Sequence, residues 1–317
     1  MLHDQTAVGT DRLHHVIRAT LYSDPACPWG YSAHPQHRFL EWRYGDQLEW
    51  RLVMISLREQ PLANFDAKQS AQRLAVFRDR YGMPFSLEPK PRASATHRGC
   101  RAVVAAGLVS PGSEWRVMRG LHFAYFNTRL LLDDDDLIRE ALRGIPGVDA
   151  DAVVDRLDDP DVEDEYQRQR AESRTAGGTP IETQGKHSTS DGPVRFTAPS
   201  VVFETDGNRL DAGGWQTTLS YDVVVANLDP SLEVTPPAKS PAPLLDRFSE
   251  GLTTAEVATL LSQGPDYVPD LGAAKQALSE LVVSGEAQRV PVGNDALWLS
   301  PEVERPTYAE STTAAAT

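Results

Sequence analysis

The run Val16-Ile17-Arg18-Ala19-Thr20-Leu21-Tyr22 is apolar and β-branched at most positions, the pattern of a buried strand. Residues 28–44 follow as a helix. Pro28 suits the first helical position, where a missing N–H costs nothing, and Pro35 inside the helix predicts a kink. Leu48-Glu49-Trp50-Arg51-Leu52-Val53-Met54-Ile55 alternates and then turns continuously apolar. It reads as the second strand of a βαβ unit, hence a parallel pair. After a loop over 56–65, the spacing predicts a helix over 66–81 with Ala71, Leu74, Phe77 and Tyr81 on related faces. Three prolines within 83–92 mark another loop. Residues 94–107 read as a helix closed by Gly107, and further helices are predicted at 113–130, 135–143, 149–157 and 160–175. Together they form a helical insertion over about 60–178.

The chain returns to strand at Ala198-Pro199-Ser200-Val201-Val202-Phe203-Glu204, turns at Asp206-Gly207-Asn208 and continues as a short strand over 209–211. A helix over 214–227 closes the unit. Gly177-Gly178 and the polar stretch 182–192 read as a long loop that can border a cleft, though the usual meaning of such a loop is mobility. Residues 229–243 hold five prolines and read as a linker. Beyond it come a helix over 253–261 capped by Thr253 or Thr254, a helix over 271–284 ended by Gly285, and two strand segments, 287–292 and 296–299, joined by Gly293-Asn294-Asp295. Two helices and a hairpin at this spacing resemble a winged helix, assigned to 244–300. Residues 1–15 are read as a polar leader and 301–317 as a disordered tail.

At 317 residues and 40% hydrophobic content, the chain can build one large domain or two smaller ones around a real core. No run of 18 apolar residues is present, and residues 1–10 lack the apolar segment of a signal peptide. The expected place is therefore the cytoplasm, with no membrane association. A net charge of -14 opposes attraction to nucleic acid or anionic lipid. Residues 244–300 carry eight acids against three Lys or Arg, a net of -5, so the winged-helix-like unit is read as an interaction or dimerisation module for a protein partner. Two cysteines that form no short framework fit a reducing compartment.

The candidate chemistry lies in Asp24-Pro25-Ala26-Cys27-Pro28-Trp29-Gly30, which joins the first strand to the first helix. Cys27 falls at the helix N-terminus, where free N–H groups and the helix dipole can lower a thiol pKa from about 8.5. That expectation makes it a nucleophile; the bland alternative is an inert buried thiol. Pro28 and Trp29 shape access to the sulfur, and Trp29 is read either as a cleft wall or as a packing aromatic. Cys100 is the only internal thiol that can resolve a disulfide at Cys27, and its bland reading is helix packing. His34 and His37, three apart, are read as solvent-facing, because no third or fourth metal ligand follows at a recognisable spacing. No metal site is expected. Asp133 to Asp136 and the acids of 158–165 are read as solvated helix starts.

Strand, cysteine, helix and proline at this spacing resemble the opening of the thioredoxin fold. More narrowly, Asp-Pro-Ala-Cys-Pro-Trp-Gly-Tyr resembles the DsbA-like proteins of the FrnE and 2-hydroxychromene-2-carboxylate isomerase group, whose members often read Asp-Pro-x-Cys-Pro-Trp-Cys-Tyr. The helix from Ser94 is similar to one in those relatives that begins Asn-Thr, with Ala95 in place of the asparagine. The resemblance covers 16–228. It implies an α/β thioredoxin-like fold with a large helical insertion, and a cis-proline at Pro199 facing Cys27. It also implies substrate held near Pro28, Trp29, Gly30, Ala198 and Pro199, the last two by β-type backbone pairing. Gly30 stands where a dithiol member has its second cysteine, so the implied activity narrows to monothiol exchange on disulfides or mixed disulfides. Such a protein has no tightly bound cofactor and uses a low-molecular-weight thiol, glutathione or mycothiol, as co-substrate. Two other classes stay open: a glutathione- or mycothiol-dependent isomerase or transferase with Cys27 in place of the family's serine, and a non-catalytic regulator that uses its C-terminal unit to bind a partner protein or DNA.

Overall fold

The computed structural model describes residues 16–264 and 266–306. The predicted leader 1–15 and the part of the predicted tail from 307 to 317 lie outside the described residues. The chain opens with β1 (Ile17–Ser23), α1 (Pro28–Ser32), α2 (His34–Tyr44) and β2 (Leu48–Met54). The helical segment follows as α3 (Ala67–Tyr81), α4 (His97–Val109), α5 (Ser113–Asn127), α6 (Asp135–Leu142), α7 (Ala150–Val154), α8 (Pro160–Glu172) and α9 (Pro180–Thr183). A small hairpin, β3 (His187–Ser188) and β4 (Arg195–Phe196), leads into β5 (Ser200–Glu204), β6 (Arg209–Gly213) and α10 (Thr218–Leu228). The chain ends with α11 (Ala242–Arg247), β7 (Leu252–Thr253), α12 (Thr254–Leu261), α13 (Leu271–Ser284), β8 (Gln288–Val292) and β9 (Asp295–Leu299).

The central sheet has the order β2-β1-β5-β6. β1 and β2 run parallel with Ile17 opposite Leu48 and Ser23 opposite Met54, as a βαβ unit requires, while β5 pairs antiparallel with both β1 and β6. Side chains alternate between the two faces. Ala19, Leu21, Leu52, Met54, Val201 and Phe203 enter the main core. Tyr22, Val53 and Val202 face a smaller cluster with Ile181 and Phe196, where Tyr22 stacks on Phe196 at 4.0 Å between ring centroids. This is a thioredoxin-like α/β fold carrying a large helical insertion.

Several boundaries differ from the sequence reading for physical reasons. The single kinked helix expected over 28–44 is two helices separated at Ala33, because Pro35 has no N–H for the carbonyl of Tyr31 and takes an opening position of α2 instead. Gly107 does not close α4. It lacks the left-handed backbone of a helix-ending glycine, and the helix runs on to Val109. Within the polar stretch expected to be a loop, α9 and β3 form, both too short to imprint a periodicity. α10 begins at Thr218, where Thr217 supplies the cap.

The C-terminal strands form a second sheet, β7-β9-β8. α12 packs along α2, and the buried cluster containing Leu40 continues without a break to Leu260 and Leu297. The proline-rich segment is held by both units: Trp42 Nε1 donates to the Pro236 carbonyl at 2.8 Å, and Ala238 N donates to the carbonyl of Leu260 on α12 at 3.1 Å. Gly293 (φ +54) turns the last hairpin so tightly against Phe85 and Asn127 that a Cβ there would lie 2.2 Å from Asn127 Oδ1.

Candidate active site

The turn between β1 and α1 is built on Asp24. Its carbonyl accepts the Cys27 amide at 2.9 Å and its Oδ1 accepts the Ala26 amide at 2.8 Å. Oδ2 accepts from the Leu57 amide at 2.7 Å, from Thr96 Oγ1 at 2.9 Å and from the Cys100 thiol at 3.6 Å. The carboxylate is fully buried, and these donors compensate its loss of water. Pro25 and Pro28 restrict the backbone on either side.

Cys27 is the N-cap of α1. Its Sγ accepts from the Gly30 amide at 3.4 Å, and its thiol donates to the Ala198 carbonyl at 3.1 Å. The peptide joining Ala198 to Pro199 is cis, at the position the resemblance implies, and it brings the start of β5 over the sulfur. The structure thus brings together Cys27, Gly30, Ala198 and Pro199. Trp29 points outward, 47% exposed, with its ring edge-on to Phe77 at 4.7 Å.

The expected lowering of the thiol pKa is not what this environment produces. Burial pushes Cys27 up to about 12, and Asp24 adds to the rise. The amides of Gly30 and Trp29 and the charge of Arg195 pull the other way and are outweighed. At rest the residue is a thiol hydrogen-bonded to a carbonyl.

Gly30 has no room to spare. A Cβ built there lies 2.8 Å from Ser23 Oγ and 3.7 Å from His122 Cε1. Cys27 and Cys100 are both free thiols. Cys100 sits on α4 with its sulfur turned to Asp24, and burial together with that carboxylate drives its pKa well up. The two cysteines therefore meet opposite ends of one residue, Cys27 through backbone and Cys100 through the side chain.

The histidines are not solvent-facing. His37 is buried against Trp50 and Tyr221, with ring centroids 5.7 and 6.0 Å away. His34 Nε2 lies 2.9 Å from Nδ1 of the buried His122. His37 is turned in by Trp50 of β2 and Tyr221 of α10, and His34 by His122 and Arg119 of α5. Among the described residues, no group of three or more His, Cys, Asp or Glu is placed to hold a metal ion.

A cleft of about 330 Å³ opens beside the cysteine turn, lined by Pro28, Trp29, Arg58, Phe77, Lys90 and Tyr125. Lys90 Nζ donates to the carbonyls of Thr128 and Leu130, both at 2.9 Å, and lies 4.4 Å from the Tyr125 ring centroid. Sequence reasoning gave no role to Asp24, Thr96 or His122. An Asp-Pro pair just before the cysteine is a turn signal that points to Asp24, whereas nothing local marks His122 within the buried face of α5.

A cysteine capping a helix after the first strand, opposite a cis-proline before a later strand, defines a thioredoxin-fold thiol protein. The family model of the DSBA-like thioredoxin domain matches residues 19–197, more than half of the chain, and the chain belongs to that family. Its members include thiol–disulfide oxidoreductases and isomerases. No curated protein matches it in sequence. Among solved structures, a candidate protein disulfide isomerase from Nitrosomonas europaea is 14% identical with a TM-score of 0.54, over 67% of this chain and 97% of that one. A candidate DsbA oxidoreductase from Streptomyces coelicolor is 16% identical with a TM-score of 0.50, over 69% and 92%. A 2-hydroxychromene-2-carboxylate isomerase is 16% identical with a TM-score of 0.43, over 67% and 95%. At these identities the likeness to the first two is one of fold. No helix among the described residues is long and apolar enough to cross a membrane.

Proposed function

We propose that the chain is a monothiol thiol–disulfide oxidoreductase in which Cys27 exchanges disulfides or mixed disulfides, with glutathione or mycothiol as co-substrate, in the cytoplasm. The observation that supports this most is the seating of Cys27 Sγ between the Gly30 amide and the Ala198 carbonyl, one residue before cis-Pro199. An extended substrate pairing its backbone with Ala198 donates an N–H to the carbonyl that holds the thiol. The S–H loses its acceptor, and the Gly30 and Trp29 amides remain to favour the thiolate.

The thiolate attacks one sulfur of a disulfide R–S–S–R′. A Cys27–S–S–R bond forms, the original S–S bond breaks, and R′–S⁻ leaves and takes the proton that Cys27 gave up. With Gly30 in place of a second thiol, a small thiol R″–SH completes the cycle. It forms R″–S–S–R, and the departing Cys27 thiolate recovers the proton. Pro28 and Trp29 shape the approach from the cleft.

That cleft, large enough for a small organic molecule, favours a second reading as a glutathione- or mycothiol-dependent isomerase or transferase. The order α11, β7, α12, α13, β8, β9 supports reading the C-terminal unit as winged-helix-like, and its net of -5 supports a protein partner over nucleic acid. The test is reduction of a glutathionylated peptide by glutathione. Saturable turnover lost in Cys27→Ser and kept in Cys100→Ala is expected; full turnover in Cys27→Ser contradicts the proposal.

A further inference from the structure

A chain of hydrogen bonds leaves the cysteine turn and ends in the C-terminal unit, and thiol exchange itself uses none of it. The Asp24 carbonyl that accepts the Cys27 amide also lies 3.1 Å from His122 Nε2. A carbonyl only accepts, so Nε2 carries the hydrogen and the neutral ring leaves Nδ1 bare. That Nδ1 lies 2.9 Å from His34 Nε2, which must therefore donate. His34 Nδ1 is then bare as well, and it faces Arg119 Nη1 at 2.9 Å. A guanidinium only donates, so the carbonyl at one end and the guanidinium at the other set the same direction along the whole chain.

Arg119 is in turn held by the C-terminal unit. It donates to both oxygens of the fully buried Glu256, at 2.5 and 2.9 Å, and to the Gly251 carbonyl at 2.7 Å. Glu256 closes a capping box with Thr253 at the start of α12. The titratable and charged groups facing the two rings are Arg119, Arg38, His37, Tyr31, whose ring centroid lies 5.8 Å from each, and Glu256, whose Oε1 lies 3.9 Å from His34 Nδ1. Burial and these cations keep both imidazoles neutral, His122 pushed down to about 3. Replacing a buried ion pair by apolar packing of the same volume is often neutral or stabilising, so stability is a weak reason for α2, α5 and α12 to meet through this cluster.

We propose that His122 and His34 are positioning residues for Cys27, through which Glu256 and Arg119 of the α12–α5 contact hold the 24–27 turn so that the thiol stays seated on the Ala198 carbonyl. The proposal rests on reading Cys27 as the reactive group. Its consequence is that the C-terminal unit sets the reactivity of that thiol. Loosening the chain frees the turn, the sulfur gains water, and the desolvation that raises its pKa diminishes.

The test is the rate of Cys27 alkylation by iodoacetamide against pH in a Cys100→Ala background, with the site located by mass spectrometry. The reagent needs no substrate, so loss of turnover and loss of this coupling are separate results. His34→Leu cannot relay the bond and should lower the midpoint by about one unit, read as alkylation about tenfold faster at pH 8. His34→Gln offers an acceptor and a donor in the same direction and should retain the parent profile. A His34→Leu profile that superimposes on the parent overturns the proposal. If His34→Leu does not fold, Glu256→Gln takes its place with the same two outcomes. On the unmodified protein, long-range ¹⁵N–¹H spectra should show both rings as neutral Nε2–H tautomers from pH 5 to 8; an Nδ1–H form of His122 overturns it independently.

Discussion

At the scale of single residues the site is a competition over one sulfur, with burial opposing the amides of Gly30 and Trp29. Burial wins at rest, so helix position alone does not make a thiolate. Asp24 organises the turn without touching that sulfur. Asp24→Asn replaces an acceptor by an amide donor facing the Leu57 N–H, Thr96 hydroxyl or Ala26 N–H. It should destabilise the fold by about 1–3 kcal/mol for the donor left unpaired, measured by denaturant unfolding. Gly30→Cys restores a C-x-x-C pattern but drives its Cβ onto Ser23 Oγ. It should lower stability by about 1–3 kcal/mol while releasing bound thiol without a second one; a variant as stable as the parent would show that Ser23 moves freely.

At the scale of elements, the parts of the fold that a local pattern can carry were legible. β1 is apolar and β-branched, β2 alternates and then runs apolar, and the helix starts at Asp66, Asp134 and Asp149 have side-chain caps in the structure. The break at Ala33 needed the knowledge that Pro35 opens a new helix instead of bending an old one. The inward turn of His34 and His37 depends on His122 and Arg119 of α5, Trp50 of β2 and Tyr221 of α10, with Glu256 of α12 3.9 Å from His34, and no spacing within α2 encodes it. α12 also supplies a prediction. Thr253→Ala removes the hydroxyl that accepts the Glu256 amide at 3.2 Å, and should cost about 1 kcal/mol. A larger loss would mean that freeing Glu256 also weakens its pair with Arg119.

At the scale of the whole molecule, buried titratable groups link stability to pH. Burial, reinforced by Arg38, holds His37 down to about 4, and burial holds His122 down to about 3. Unfolded histidines take a proton near 6.5, so below that pH the unfolded state binds more protons and stability falls as pH drops from about 6.5 toward 3. Glu250 adds to the same trend lower down. Burial alone raises it, but Arg38 and Arg119 override this and bring it to about 2, so its contribution is present above about 4.3 and lost toward pH 2. Unfolding free energies measured between pH 7 and 4 should decline steadily from about 6.5, and a flat profile there would mean the histidines are exposed.

On the proposed function Cys27 works without an internal partner, because Gly30 stands where a second thiol would be and Cys100 is turned toward Asp24. The direct measurement is intact-mass and peptide analysis of the full chain after treatment with glutathione disulfide in the absence of free thiol. One glutathione per chain is expected, held at Cys27 and stable until a small thiol is added. An internal Cys27–Cys100 disulfide, or modification at Cys100 with Cys27 untouched, would contradict it.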